Sequence, residues 1–239
     1  MLNEPSLCTR REDGRNLPAL VWRAGQPLLS VSSAAFGGGL GVRTWVVNAT
    51  VPMSYDRDDP VAHLAELAER FGLDGPGVGL LTGVDVAKVV ARTDTGVRVW
   101  ATVGLGVPIW AAAPPERTPA EIAPTSGGHP VGTVNTVVYV PARLGPAALV
   151  NAVATATEAK AQAIAELGMP GTGTPTDAVT VLCPTDGPEA PYGGPRSTWG
   201  APLARAVHRA VLVGGGRHRR GQPVEEPGEW VSSAGQGPR

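Results

Sequence analysis

The hydrophobic pattern switches period several times along the chain. Short β-branched runs bounded by Gly or Pro stand at residues 27–34 ("PLLSVSSA"), 42–51 ("VRTWVVNATV"), 78–83 ("VGLLTG"), 97–104 ("VRVWATVG"), 134–140 ("VNTVVYV") and 178–183 ("AVTVLC"). Each reads as a strand. In the second, Trp45, Val47 and Val51 alternate onto one side. Helical spacing appears in "DDPVAHLAELAERFG" (58–72), where Leu64, Leu67, Ala68 and Phe71 recur at i, i+3, i+4, i+7. Asp59 before Pro60 predicts the N-cap there, and Gly72 the stop. A longer helix is predicted over residues 144–168 and a last one over 201–215. Strands follow one another directly and helices fall between them without a βαβ rhythm. That favours an α+β fold, one domain with a mixed or antiparallel sheet packed by a long helix and shorter ones.

The ends read differently from the middle. Residues 1–19 are mostly polar and predict a loosely held lead. The glycine-, proline- and charge-rich stretch 214–239 buries too little apolar surface to offset its ordering entropy and predicts a disordered tail. The domain is then residues 20–213. Residues 109–132 are long for a bare connection, which predicts a lid or an insert.

Composition narrows the function. Of 239 residues, Lys plus Arg number 20 and Asp plus Glu 21, a net charge of −1. Nothing here attracts a nucleic-acid backbone. No apolar stretch approaches the roughly 18 residues of a membrane span, and the N-terminus lacks a secretory h-region. Cys8 and Cys183 make no spaced framework, and Cys183 reads as a buried free thiol. These features predict a cytoplasmic protein without a membrane or nucleic-acid partner. A homo-oligomer stays open.

The usual catalytic signatures are missing. There is no HExxH, P-loop, GxSxG or dinucleotide fingerprint, and "GGGLG" (37–41) precedes a strand, so it reads as a tight turn. The histidines have no metal-ligand spacing; His63 and His208 read as solvated, and no metal site is predicted. What does recur is small polar residues at strand ends beside glycine: Asn48, Thr82, Thr102, Thr133 and Asn135, then Thr174, Thr176 and Asp177 in "GTGTPTD". Five such places predict a common edge lined by hydroxyls and amides, suited to a ligand rich in neutral amides. On the long helix, at about 100° per residue, Lys160 falls on the apolar stripe of Leu149, Val153, Ala156, Ile164 and Leu167. An ammonium there either snorkels to water or pairs with a carboxylate, for which Asp177 is the candidate. Glu158 lies about 200° away and reads as surface by periodicity.

These residues also carry a likeness. The order "SSAAFGGGLG … VVNATV … GLLTG … ATVGLG … GTVNTVVYV … NAVATATEAKAQAIAELG … GTGTPTDAVTV … YGGPRSTWG" resembles the adenosylcobinamide amidohydrolase family over about residues 29–213. "VPIWAAAPPER" (107–117) departs from the family pattern. The resemblance implies hydrolysis of the aminopropanol amide of adenosylcobinamide to adenosylcobyric acid and 1-amino-2-propanol, in corrinoid salvage for cobalamin synthesis. It implies a corrinoid substrate and no cofactor, the cobalt arriving inside the substrate. Asp177 is then expected as general base to a water with Lys160 holding it ionised, and Thr133 and Asn135 as oxyanion donors. Asn48, Thr82, Thr102, Glu158, Thr174 and Thr176 are expected to bind substrate. Thr133 as nucleophile is a rival. The alternatives in function are a corrinoid-binding protein without turnover and an amidohydrolase for another amide.

Overall fold

The computed structural model describes residues 1–106, 108–114 and 132–216. Eight strands form one sheet: β1 (Ser6–Glu12), β2 (Arg15–Ser32), β3 (Gly39–Thr50), β4 (Gly77–Thr82), β5 (Val90–Asp94), β6 (Val97–Val103), β7 (Val134–Tyr139) and β8 (Ala178–Pro184). Their order is β4-β3-β2-β8-β7-β6-β5, with β1 beside β2. β3/β4 and β7/β8 are parallel and the other pairs antiparallel. The helices are α1 (Pro60–Arg70), α2 (Pro146–Glu166) and α3 (Gly200–Gly216). This is the expected α+β fold with a mixed sheet and one long helix.

Strand alternation sorts the side chains into two faces. Val97, Val99 and Ala101 of β6, Val134 and Val138 of β7, and Val179, Val181 and Cys183 of β8 pack in one cluster with α2 and α3. Trp45, Val47 and Ala49 of β3 pack with Leu64, Leu67 and Ala68 of α1. The other face holds Leu20, Trp22, Val46, Val78, Leu80, Trp100, Val137, Tyr139 and Leu182, a cluster without a helical residue from α1, α2 or α3. Val86 of the 3-10 turn Val86–Lys88 packs there, and the sheet covers the rest of that face itself. β3 and β6 stand four places apart in the order, about 19 Å in a flat sheet. Yet Asn48 Nδ2 on β3 reaches Thr102 Oγ1 on β6 at 3.0 Å, and Asn135 Nδ2 on β7 reaches the Leu81 carbonyl on β4 at 3.0 Å. Trp22 and Trp100 meet edge to face at 6.0 Å across the same interior. The sheet is therefore coiled almost onto itself, in the direction strand twist favours. The segment after β2 covers the open edge of β4, where Gly79 N donates to Phe36 O at 3.1 Å. Of the Gly-rich stretch, Gly37 and Gly38 turn the chain as expected, whereas Gly39–Gly41 already belong to β3 and pair with β2.

The N-terminal lead is a correction. Ser6–Glu12 form β1, joined to β2 through Asp13 and Gly14 at φ 49° and 73°. Two successive positive φ values make the tight hairpin turn that Asp-Gly favours. One of the lead's charges is buried, while Glu4, Arg11, Asp13 and Arg15 stay exposed. Arg10 is 2 % exposed, donating to Glu12 Oε2 at 2.7 Å and to the Thr50 carbonyl at 2.6 Å. Leu2 is fully buried in the sheet interior. At the other end, Gly214–Gly216 close α3; the rest of the expected tail lies outside the described residues.

His63 is a second correction. It is 1 % exposed on α1, its Nδ1 3.0 Å from Tyr55 Oη and its Nε2 2.8 Å from Glu12 Oε1. The stacked Tyr55 ring and the β1–β2 hairpin cover the helix face that periodicity leaves open. His208 is partly exposed and pairs with Glu166 at 2.9 Å. Burial holds the His63 imidazole below its ordinary 6.5, against the opposing pull of Glu12. The folded state thus binds this proton less readily than the unfolded one. Stability is full above that value and is lost as the pH falls through it. We expect His63→Asn to flatten the pH dependence of unfolding free energy just below pH 6.5 by up to about 1.4 kcal/mol per unit, measured by urea titration of both proteins at matched pH; parallel curves would exclude the effect.

Candidate active site

The polar strand ends meet at one mouth of the coiled sheet, where β3, β4 and β6 finish and β7 and β8 begin. Register brings them together: Asn48 pairs with Leu80, Thr102 with Asn135, and Asn135 with Ala178. Asn48, Thr102 and Asn135 all turn to the inner face and are at most 2 % exposed. Asn135 Nδ2 donates to Asn48 Oδ1 at 3.0 Å as well as to Leu81 O, and Asn48 Nδ2 donates on to Thr102. Leaving any of these groups unpaired would cost about 1–3 kcal/mol, so the chain of bonds fixes the strands as firmly as it fixes the side chains. Both N–H bonds of Asn135 are spent inside the protein. Its expected part as an oxyanion donor is therefore not available, and the end of the amide that remains is the carbonyl.

A second group forms from the loop between α2 and β8. Thr133 Oγ1 and Thr176 Oγ1 lie 2.7 Å apart. Asp177 turns the other way, toward α2. Its Oδ1 accepts from Val134 N at 2.8 Å and from Thr174 Oγ1 at 2.5 Å; its Oδ2 accepts from Thr174 N at 3.0 Å and from Lys160 Nζ. The Lys160 and Asp177 side chains are 10 % and 11 % exposed. The ammonium on the apolar stripe thus has its carboxylate rather than an escape to water. Gly173 is required beside it: a Cβ there would stand 2.5 Å from both Asp177 Oδ2 and Lys160 Nζ.

The remaining expected residues divide. Thr82 is buried at the end of β4, but its hydroxyl accepts from Val84 N at 3.1 Å and caps the strand. Glu158 is exposed, without a polar partner among the described residues, on the far side of α2 from Lys160. The structure does not bring it to the mouth. Sequence reading missed Ser32 and Thr180, whose hydroxyls meet at 2.7 Å on the inner face. The signal was present, since Thr180 continues the two-residue alternation of Thr176 and Ala178. It also missed Ile109, which exchanges backbone bonds with Gly173 O at 2.8 Å and Thr172 N at 2.9 Å and so docks the start of the divergent 107–117 stretch against the Asp177 loop. Val107 and residues 115–131 lie outside the described residues. Among those described, no group of three or more His, Cys, Asp or Glu side chains is placed to hold a metal ion.

The family model for adenosylcobinamide amidohydrolase matches residues 4–223. The chain belongs to the adenosylcobinamide amidohydrolase family. It is 29 % identical over 191 residues to the adenosylcobinamide amidohydrolase of Methanosarcina mazei, covering 76 % of this chain and 88 % of that one. It is 41 % identical over 184 residues to the adenosylcobinamide amidohydrolase of Halobacterium salinarum, covering 75 % and 77 %. Three short stretches that carry the family likeness converge on a single carboxylate: "TEAK" supplies Lys160, "GTVN" supplies the Val134 N–H, and "GTPTD" supplies Thr174 and Asp177 itself.

Removing one partner of a buried pair leaves the other charge uncompensated, at a cost of about 3–5 kcal/mol. Lys160→Met is expected to lose about that much stability in urea unfolding. The Lys160→Met/Asp177→Asn double variant should recover a substantial part of it. Equal stability of Lys160→Met and the parent would mean that the pair does not hold the loop.

Proposed function

We propose that this chain hydrolyses the amide joining the aminopropanol arm to the corrin ring of adenosylcobinamide, releasing adenosylcobyric acid and 1-amino-2-propanol. The observation that carries the proposal is the family match over residues 4–223. A mouth edged by neutral amides and hydroxyls supports it, because a corrinoid is rimmed with carboxamides. The cobalt enters with the substrate. Two unpaired thiols, Cys8 and Cys183, suit a reducing compartment, and we assign the reaction to the cytoplasm.

Amide hydrolysis needs a water relieved of its proton and a stabilised oxyanion. Both oxygens of Asp177 already accept two hydrogen bonds, so the carboxylate acts through a donor it holds. In this reading Thr174 Oγ1 takes a proton from the attacking water while passing its own to Asp177 Oδ1. Lys160 holds the carboxylate in position through their ion pair. The same hydroxyl returns a proton to the departing amine, which leaves as the C–N bond breaks. Thr176 donates to Thr133 Oγ1, freeing the Thr133 proton for the oxyanion. Thr102 and Asn135, fixed in place by Asn48 between them, hold the amide.

A rival reading makes Thr133 the nucleophile; its buried hydroxyl, paired among the described residues with that of Thr176, favours it. Intact mass of the purified chain separates the variant in which the chain is first cut before Thr133, since one uncut species removes it.

The test is incubation with adenosylcobinamide, followed by mass spectrometry of the corrinoid. Conversion to adenosylcobyric acid is expected, with kcat/KM falling about 10²–10⁴-fold in Asp177→Asn. Thr174→Val should fall comparably and Thr174→Ser should keep most of the activity. An Asp177→Asn protein that folds and turns over fully would end the assignment; an unchanged but bound corrinoid would favour binding without turnover.

A further inference from the structure

The buried amide chain has a direction, and the direction determines what the mouth can read. The Leu81 carbonyl can only accept, so the atom of Asn135 facing it is Nδ2. The same nitrogen faces Asn48, so the atom of Asn48 meeting it is Oδ1, and Asn48 presents Nδ2 to Thr102. Turning either amide over would set two acceptors or two donors against each other. Thr102 Oγ1 thus receives a bond and keeps its own hydrogen to give. Asn135 Oδ1 is left as an acceptor with no hydrogen-bond partner among the described residues, on a side chain only 2 % exposed. Thr102 and Asn135 are cross-strand partners on β6 and β7, on the inner face, so their side chains lie side by side. Polarisation along the chain strengthens both ends.

We infer that Asn135 Oδ1 is a specificity-determining acceptor for a substrate amide N–H, with the Thr102 hydroxyl donating to the carbonyl of the same amide. This deepens the proposed function and rests on it for the identity of the ligand. A donor and an acceptor side by side match an amide, whose C=O and N–H are the complement. An ester offers no N–H. A carboxylate sets an anionic acceptor against Oδ1 and is disfavoured further. The site therefore holds the amide that is cut and repels the acid that results.

The experiment compares three corrinoids differing only at the reacting side chain: the N-methylamide of cobyric acid, its methyl ester and the free acid. Dissociation constants are read from tryptophan quenching of the full chain by rapid mixing, before turnover. The methylamide is expected to bind about tenfold more tightly than the ester, the worth of one well-made buried hydrogen bond, and the free acid most weakly. In Asn135→Ala the ratio of amide to ester should fall to about one. An ester bound as tightly as the amide by the parent chain overturns the inference, as does a ratio unchanged in Asn135→Ala. Turnover of adenosylcobinamide alongside equal binding of ester and amide would refute the inference and leave the proposed function standing. A full amide preference without turnover would do the reverse, and no binding of any of the three would refute both.

Discussion

The carboxylate of Asp177 is where three separate parts of the chain are tied together. Lys160 comes from the long helix, the Val134 N–H from the start of a central strand, and Thr174 from the loop that leads to Asp177 itself. None of these groups has a reason to be where it is without the others. An ammonium on an apolar helix stripe would otherwise be driven to water, and an almost buried carboxylate would be left uncompensated. Because Val134 lies between Thr133 and Asn135, holding its amide also sets the height of both side chains at the mouth. The glycine at 173 follows from the same constraint, since a side chain there would occupy the space of the ion pair.

The second constraint is the coil of the sheet. Eight strands in a flat sheet would present two faces to be covered, and α1, α2 and α3 cover only one. Curling buries the other face against itself and brings β3 and β4 opposite β6 and β7. Polar residues that would be scattered along an edge thereby become neighbours. The inner face is apolar where Trp22, Trp100 and Tyr139 pack and polar where Asn48, Thr102 and Asn135 meet. That change of character along one surface makes a site of what would otherwise be core.

Much of this was legible because the pattern was local. Six strands and three helices announced themselves by period, and Asp59 caps α1 through Ala62 N at 2.8 Å as its position before Pro60 implied. Lys160 was legible as an anomaly, a charge on an apolar line. Two of the misses share a cause. In β1 and His63, charged and polar residues stand for burial rather than exposure because their partners are far away in sequence: Arg10 needs Thr50, and His63 needs Glu12. Composition cannot see such pairs, although the Asp-Gly turn at 13–14 marked the hairpin. β5 escaped for its shortness, with Arg92, Thr93 and Asp94 too polar to signal a strand. The roles within the amide chain were beyond the sequence altogether, since which end of Asn135 is free depends on a carbonyl contributed by β4.

The most direct measurement is amide hydrogen exchange at Val134 and Thr174, the two backbone donors to Asp177. If the carboxylate holds the mouth together, both exchange as slowly as the central strands in the parent chain. In Asp177→Asn both should speed up sharply while the β2–β3 pairing keeps its protection. Fast exchange at Val134 and Thr174 in the parent, or protection that survives the substitution, would contradict the account.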